Sequence, residues 1–295
     1  MAKEFPAIAA LDLAVPILTN TSDPPFVAVR VNPDEYNEYN TTGVIYCIPE
    51  KGINGVSPPV RPLPERIVSR GLDITLSICA LLAFLPVMLL IALIIRLDSP
   101  GPVLFFQRRT AKSRLISGEE LLNNGKYTVI SEKIDPSALY WIPKTFCFIK
   151  FRTMYSDAIE RFPHLYDYNL SPEEIRRFQF KVENDPRVTR AGKWLRESTL
   201  DELPNFWNVL AGEMKLAGPR PEIPEMLPNY TPAQMEKFIV KPGVSGFAQI
   251  NGRGRLMFQQ TVGYDLEYVR DMSFSLDVKI ILKTVLKIFY RHGAF

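Results

Sequence analysis

Asp201 and Glu202 stand side by side in Lys193-Trp-Leu-Arg-Glu-Ser-Thr-Leu-Asp-Glu-Leu-Pro204, and Gly218-Pro-Arg-Pro221 follows them closely. Adjacent acids on a helix usually form a solvated face, because neighbours one position apart point about 100° away from each other. Here the pair is flanked by Trp194, Leu195, Leu200, Leu203, Phe206, Trp207 and Leu210, whose helical spacing predicts a packed apolar face that anchors the acids. Pro219 and Pro221 stiffen the backbone around Arg220, and a planar guanidinium fork suits phosphate. Carboxylates beside a rigidly held cation point to phosphoryl chemistry.

More cations have the right pattern. Lys150 and Arg152 alternate in Phe146-Cys-Phe-Ile-Lys-Phe-Arg-Thr-Met154, so a strand there puts both on one face, where they could hold a diphosphate. A solvated basic edge strand is the competing meaning. In Lys241-Pro-Gly-Val-Ser-Gly-Phe-Ala-Gln-Ile-Asn-Gly-Arg253, glycines 243, 246 and 252 would let backbone amides approach an anion, and Arg253 adds charge. On its own such a run is more often a turn. Only His164 and His292 are present, too few for a histidine-ligated metal or a Ser-His triad with any support. Cys47, Cys79 and Cys147 have neither metal-ligand spacing nor an even disulfide count, as a reducing compartment allows. With 35 basic against 32 acidic residues, the net charge of +3 does not point to nucleic acid.

The 295 residues are enough for one or two domains. Residues 1–64 read as an N-terminal arm, with strand-like runs at Phe26–Val31 and Val44–Ile48 and a proline-rich linker ending at Pro64. No basic region followed by an apolar one marks a cleavable signal. Leu72–Leu97 is apolar all round and longer than the roughly 20 residues a bilayer needs. Arg61, Arg66 and Arg70 precede it, and Arg96, Arg108, Arg109, Lys112 and Arg114 follow, so the positive-inside rule is best met if both ends return to one side. Pro86 lies mid-run where a bend would be needed, which favours a re-entrant helix-break-helix at 65–100 over a kinked spanning helix. The remainder, 101–295, reads as a membrane-associated catalytic domain. It opens with a strand at Val103–Arg109, followed by an insertion or hairpin at 110–145 that turns at Asn123-Asn-Gly125. Ser171-Pro-Glu-Glu174 and Thr231-Pro-Ala-Gln234 are helix starts. Phe274–Phe289 carries Lys279, Lys283 and Lys287 every four residues amid apolar ones, the pattern of a helix lying in an anionic bilayer surface.

In order, Gly101-Pro-Val, Gln107-Arg108, Lys150-Phe-Arg-Thr-Met154, Asp185-Pro-Arg-Val-Thr-Arg190, Leu200-Asp-Glu-Leu-Pro204, Trp207-Asn-Val-Leu210, Gly218-Pro-Arg-Pro221 and Pro242-Gly to Arg253 resemble the bacterial sugar transferase family, the monotopic phosphoglycosyl transferases. The resemblance runs from about Glu65 to Phe289. It implies an α/β (α+β), mostly helical fold with a re-entrant membrane helix, amphipathic interfacial helices and a small sheet at the active site. It further implies transfer of a sugar 1-phosphate from a UDP-sugar to polyprenyl (undecaprenyl) phosphate through a phosphosugar on Asp201, with release of UMP. This would be a first step of exopolysaccharide, O-antigen, capsule or glycoconjugate assembly at the cytoplasmic face of the bacterial inner membrane. By the same resemblance Asp201 and Glu202 are catalytic and contact Mg²⁺, while Lys150, Arg152, Pro219, Arg220, Pro221 and Arg253 surround the donor's phosphates and nucleotide. A homo-oligomer is compatible with this. A catalytically silent scaffold for glycan-assembly partners, or a UDP-sugar hydrolase, are the alternative readings. Leu85-Pro86 replaces the Ser-Pro break of some members, and Ser69-Arg70 replaces their Lys-Arg.

Overall fold

The computed structural model describes residues 27–31, 44–49, 60–123, 127–129, 134–168, 170–179, 182, 184–252 and 256–289. In chain order the elements are β1 (Val27–Val31), β2 (Val44–Pro49), α1 (Leu63–Asp98), β3 (Leu104–Thr110), β4 (Arg114–Ser117), α2 (Gly118–Asn123), β5 (Tyr127–Val129), β6 (Leu139–Ile142) and β7 (Thr145–Phe151). Then come α3 (Ala158–Arg161), α4 (Pro172–Arg177), α5 (Arg190–Ser198), α6 (Asn205–Ala211), β8 (Lys215–Ala217), β9 (Gly243–Ser245), α7 (Phe247–Gly252), α8 (Phe258–Asp271) and α9 (Phe274–Phe289).

The 36 residues of α1 form one continuous helix with Pro86 inside it. The expected helix-break-helix is therefore not seen as an interruption. Glu65 in the first turn and Arg96 in the last match the helix dipole. Leu82, Phe84, Leu85, Leu89, Leu90 and Leu93 are exposed, whereas Asp73, Ser77, Ile91 and Ile95 are buried. These four share a face, because positions 73 and 91, or 77 and 95, are about five turns apart. The two ends of α1 pack on one body. Near its start, Arg70 donates to the carbonyls of Val209 (2.6 Å) and Leu210 (2.8 Å), and Asp73 accepts from the backbone amide of Leu216 at 3.0 Å. Near its end, Ile91 and Ile95 pack with Phe151, Leu195 and Leu203.

Three sheets are present among the described residues: β4-β6-β2-β1-β5, the antiparallel pair β3-β7, and the parallel pair β8-β9. The first joins the N-terminal arm to the insertion, a pairing that strand propensity alone could not anticipate. The insertion is more than a hairpin, since α2 separates β4 from β5; the expected Asn124-Gly125 turn lies outside the described residues. Ile116, Leu121, Tyr140 and Ile142 from this module share a core with Ile223, Met226, Tyr230, Phe238, Phe258 and Val262. Ser171 and Glu174 close the expected capping box on α4, whereas the segment after Thr231 is a 3-10 helix, Pro232–Ile239.

A carboxylate hub ties the segment before α1 and the start of β8 to α9. Asp277 on α9 takes hydrogen bonds from Arg61 (2.6 and 3.0 Å) and the Tyr268 hydroxyl (2.7 Å), and an ion pair from Lys215. These cations hold its carboxyl below the usual range against the opposing effect of burial.

Candidate active site at the base of the apolar helix

The face of the β3-β7 ribbon that meets the rest of the domain is set by register. Phe105 lies opposite Lys150, Gln107 opposite Phe148 and Arg109 opposite Phe146, so these six residues share one side. Phe146 and Phe148 are buried, which leaves Lys150 and Arg109 as cations at an apolar wall. The Lys150 ammonium stands 5.4 Å from the centroid of Phe105, and the Arg109 guanidinium 5.5 Å from that of Phe148.

Asp201 reaches this wall through a tight turn. Thr199 ends α5 at φ 61°, a left-handed conformation rare for a β-branched residue, and a 3-10 turn over Leu200–Glu202 follows. Leu195 and Leu203, both buried, hold the turn against Phe151 and the second half of α1. The fully buried Asn208 of α6 fixes the spacing to β7: its Nδ2 donates to the Cys147 carbonyl at 2.7 Å and its Oδ1 accepts from the Ile149 amide at 3.2 Å. Trp194 and Trp207, expected on the packed face, are exposed instead, because the turn between α5 and α6 breaks the continuous helical stripe.

Arg220 completes the site. Its Nη2 lies 3.0 Å from Glu202 Oε1, and the loop that carries it is tied down at both ends. The Gly218 amide donates to Ser245 O at 2.9 Å, the Gly243 amide to Pro219 O at 2.9 Å, and Arg109 Nη1 to Pro221 O at 3.3 Å. Gly243 and Gly246 are thus needed for a different reason from the one their spacing suggested. A Cβ on either would run into the backbone of Gly218, so they permit the close approach of two backbone segments rather than of an anion.

The electrostatics separate the groups in a useful way. Burial and the adjacent Glu202 push the Asp201 carboxyl up to about 6, opposed by Lys150, Arg220 and Arg196. Burial lowers the Lys150 ammonium to about 8, with Asp201 working in the other direction and Arg109 and Arg220 adding to the fall. Glu202 raises the Arg220 guanidinium further. The Asp201 and Glu202 carboxyl groups thus share the site with the Lys150, Arg220 and Arg196 cations.

Arg109 was grouped with Arg108 in the sequence as a basic flank, and its place in the site was missed. Strand alternation could have found it, since Arg109 falls on the Phe105 and Gln107 side. Its guanidinium donates to Gln107 Oε1 at 2.8 Å and stands 3.9 Å from Glu222. Behind Glu222 runs a buried chain: the Tyr230 hydroxyl donates to it at 2.9 Å, Lys237 donates to that hydroxyl at 3.1 Å, and Asp265 pairs with Lys237 at 3.0 Å. Burial first, then Glu222, raises the Tyr230 phenol, which keeps it a donor.

Arg152 goes elsewhere. It is buried, and its guanidinium donates to the carbonyls of Pro100 and Ser99 (2.7 Å for the latter) and to the Ser99 hydroxyl at 3.0 Å. The strand ends at Phe151, so the alternation that would have aligned Arg152 with Lys150 stops one residue short. Arg253 lies outside the described residues. Among the described residues no group of three or more His, Cys, Asp or Glu could hold a metal ion by itself.

The family model described as Bacterial sugar transferase matches residues 64–117 and 141–291. The chain belongs to the bacterial sugar transferase family. It is 37% identical over 248 residues to the undecaprenyl-phosphate glucose phosphotransferase of Komagataeibacter xylinus, covering 80% of this chain and 38% of that protein. It is 34% identical over 258 residues to the UDP-glucose:undecaprenyl-phosphate glucose-1-phosphate transferase of Escherichia coli (strain K12), covering 82% of this chain and 46% of that one. With the exopolysaccharide production protein ExoY of Rhizobium meliloti (strain 1021) it shares 30% identity over 236 residues, 80% of this chain and 91% of the relative. The chain thus spans under half the length of the first two relatives. The family match leaves out residues 1–63, 118–140 and 292–295; the first two stretches carry β1, β2, α2, β5 and the start of β6.

Proposed function

We propose that the protein transfers a sugar 1-phosphate from a UDP-sugar to a polyprenyl phosphate through a covalent intermediate on Asp201. The observation that carries this reading is a buried carboxylate, Asp201, facing Lys150 and Arg220 at the end of an apolar helix, in a family whose relatives bear the names of undecaprenyl-phosphate sugar phosphotransferases. The Asp201 oxygen attacks the β-phosphorus of the donor in line with the bridging oxygen. That P–O bond breaks, UMP leaves, and an acyl phosphate bearing the sugar remains. An oxygen of the polyprenyl phosphate then attacks the same phosphorus and releases Asp201 as the carboxylate, giving polyprenyl-diphosphate-sugar. Lys150 and Arg220 offset the repulsion between anionic nucleophile and anionic donor, and Arg109 adds to the same field.

Asp201 and Glu202 would hold Mg²⁺. The two carboxylates share one 3-10 turn and offer the oxygen donors that this hard cation favours, so the residues present fit the ion. When bound, the ion supplies charge neutralisation on the diphosphate.

The reading places α1 in the bilayer as a re-entrant element of the bacterial inner membrane, with the site at the cytoplasmic face. Support comes from residues near both ends of α1 packing on one body that includes α5, α6, β7 and β8. The exposed Trp194 and Trp207, and Leu282, Val285 and Leu286 beside Lys279 and Lys283 on α9, suit an interfacial seat. The experiment is a donor screen: purified protein, undecaprenyl phosphate, Mg²⁺ and a panel of UDP-sugars, with UMP as readout. One sugar is expected to release UMP with wild type and none with Asp201→Asn; wild-type turnover in that variant would remove the proposed nucleophile.

A further inference from the structure

A second cluster of cations lies apart from Asp201. Arg66 and Arg70 are one turn apart on α1, just before its apolar run, Lys112 follows β3, and Lys241 precedes β9. Gly212 ends α6 at φ 83°, and the point where a Cβ would sit is 3.4 Å from Arg70 Nη2 and 3.8 Å from Lys241 Nζ. Two cationic heads therefore approach the same backbone position at the end of α6. Both are held in place by the end of α6: Arg70 through the Val209 and Leu210 carbonyls, and Lys241 through the Gly212 carbonyl at 2.6 Å. Guanidinium and ammonium have more donors than these bonds use. Lys112 is exposed and stands 5.8 Å from the centroid of Trp141, and Arg66 is exposed too.

The carboxylates around the cluster are engaged. Asp73 is buried and accepts from Leu216, Glu213 accepts from Asn208 at 2.7 Å, and Asp277 is taken by Arg61 and Lys215. Burial lowers the Lys241 ammonium; Arg70 and Lys112 lower it further, while Asp73 works in the other direction. The packing of Lys112 beside Trp141 and the nearby Arg66 lower the Lys112 ammonium. Asp73 is the carboxylate that acts on Lys241 and Arg70, so positive charge is in excess across the four cations. It is separate from the reacting site, where the charges acting on Asp201 are Glu202, Lys150, Arg220 and Arg196. Its depth is set by α1. With about 1.5 Å of rise per residue, Arg66 and Arg70 lie within roughly 10 Å of the start of the apolar run, where lipid headgroups sit.

We propose that Arg66, Arg70, Lys112 and Lys241 form a second anion site that takes the phosphate of an anionic membrane lipid, distinct from the phosphates that react. The proposal rests on α1 being embedded in the bilayer. It does not depend on the identity of the donor sugar or on Asp201 being the nucleophile. An anchored anion here would pin the N-terminal end of α1 and the C-terminal end of α6, the helix whose Asn208 positions β7 and Lys150.

The test uses the full chain in detergent and native mass spectrometry with phosphatidylglycerol or phosphatidylcholine. Wild type is expected to retain phosphatidylglycerol in preference to phosphatidylcholine. Arg66→Gln/Lys112→Gln is expected to bind phosphatidylglycerol roughly thirtyfold more weakly, and Lys112→Gln alone about fivefold more weakly. UMP release by these variants in detergent stays at the wild-type level, which shows that the site around Asp201 is folded. A Lys279→Gln/Lys283→Gln variant is the control for general surface charge and retains the lipid. Equal retention by wild type and the double variant would overturn the proposal, as would equal loss in the control. Displacement of the lipid by an equal concentration of inorganic phosphate would make this a free-phosphate site and would also overturn it. Because the readout is bound lipid, failure of the transferase reading would leave this result standing.

Discussion

At the scale of single residues, the two strand cations Lys150 and Arg152 divide the labour that their spacing seemed to share. Lys150 faces Asp201 across the cleft, whereas Arg152 is committed to the carbonyls of Ser99 and Pro100 where α1 gives way to β3. Lys150→Met should abolish UMP release with little change in melting temperature. Arg152→Gln should cost about 2–3 kcal/mol of stability, since it strips a buried charge-assisted network of its donor. Thermal melts and UMP assays on both variants check this; the reverse pattern would reassign the two residues. The pH dependence follows from the same groups. The Lys150 cation is present below its folded value of about 8 and is lost as pH rises through it, so activity should fall on the alkaline side near 8. The Asp201 carboxylate is lost as pH falls through about 6, which gives the acid limb. If Asp201 and Glu202 hold Mg²⁺, raising its concentration should move that acid limb to lower pH. A limb indifferent to Mg²⁺ would take the metal away from these residues.

At the scale of elements, the sequence carried the strands and most of the helices because their signals are local. Alternation at Phe146–Phe151 and the Ser171-Pro-Glu-Glu174 box each depend on a few consecutive residues, and both appear as read. What was illegible depends on partners far along the chain. Arg109 enters the site only through the register of β3 on β7, Asn208 only through its hold on β7, and the N-terminal arm joins the insertion in a sheet that nothing in either segment announces. The glycines at 243 and 246 show the same limit: their types were visible, but the backbone that crowds them, Gly218, was not. Gly243→Ala should therefore destabilise the β8-β9 pair and lower activity together, by overpacking of about 1–3 kcal/mol, seen in parallel melts and UMP assays. Asp277→Asn should be more costly, about 3 kcal/mol or more, because it leaves Arg61 and Lys215 facing each other in a buried hub. A melting temperature unchanged in Asp277→Asn would mean that the hub does not hold α9 to the segment before α1.

At the scale of the whole molecule, the reading depends on where α1 lies. The apolar run and its flanking arginines were evident from composition, and so was the reason to place both ends on one side. The continuity of the helix through Pro86 was not, because proline inside a helix removes one hydrogen bond without dictating whether the chain bends or breaks. Single cysteines at Glu65 and at Arg108, in a chain with Cys47, Cys79 and Cys147 replaced by serine, should react with a membrane-impermeant maleimide from the same side. Labelling from opposite sides would make α1 a spanning helix and would conflict with its packing on one body. The exposed tryptophans and α9 would then have to meet water rather than headgroups.

The central claim concerns one covalent bond, and it can be weighed directly. Purified protein is incubated with Mg²⁺ and the active UDP-sugar without any lipid acceptor, then digested and analysed by mass spectrometry. The account predicts a peptide containing Asp201 that is heavier by one sugar phosphate, with UMP formed in equal amount, and loss of the added mass when polyprenyl phosphate is supplied. UMP that appears only when the acceptor is present, with no adduct on Asp201 at any time, would contradict it.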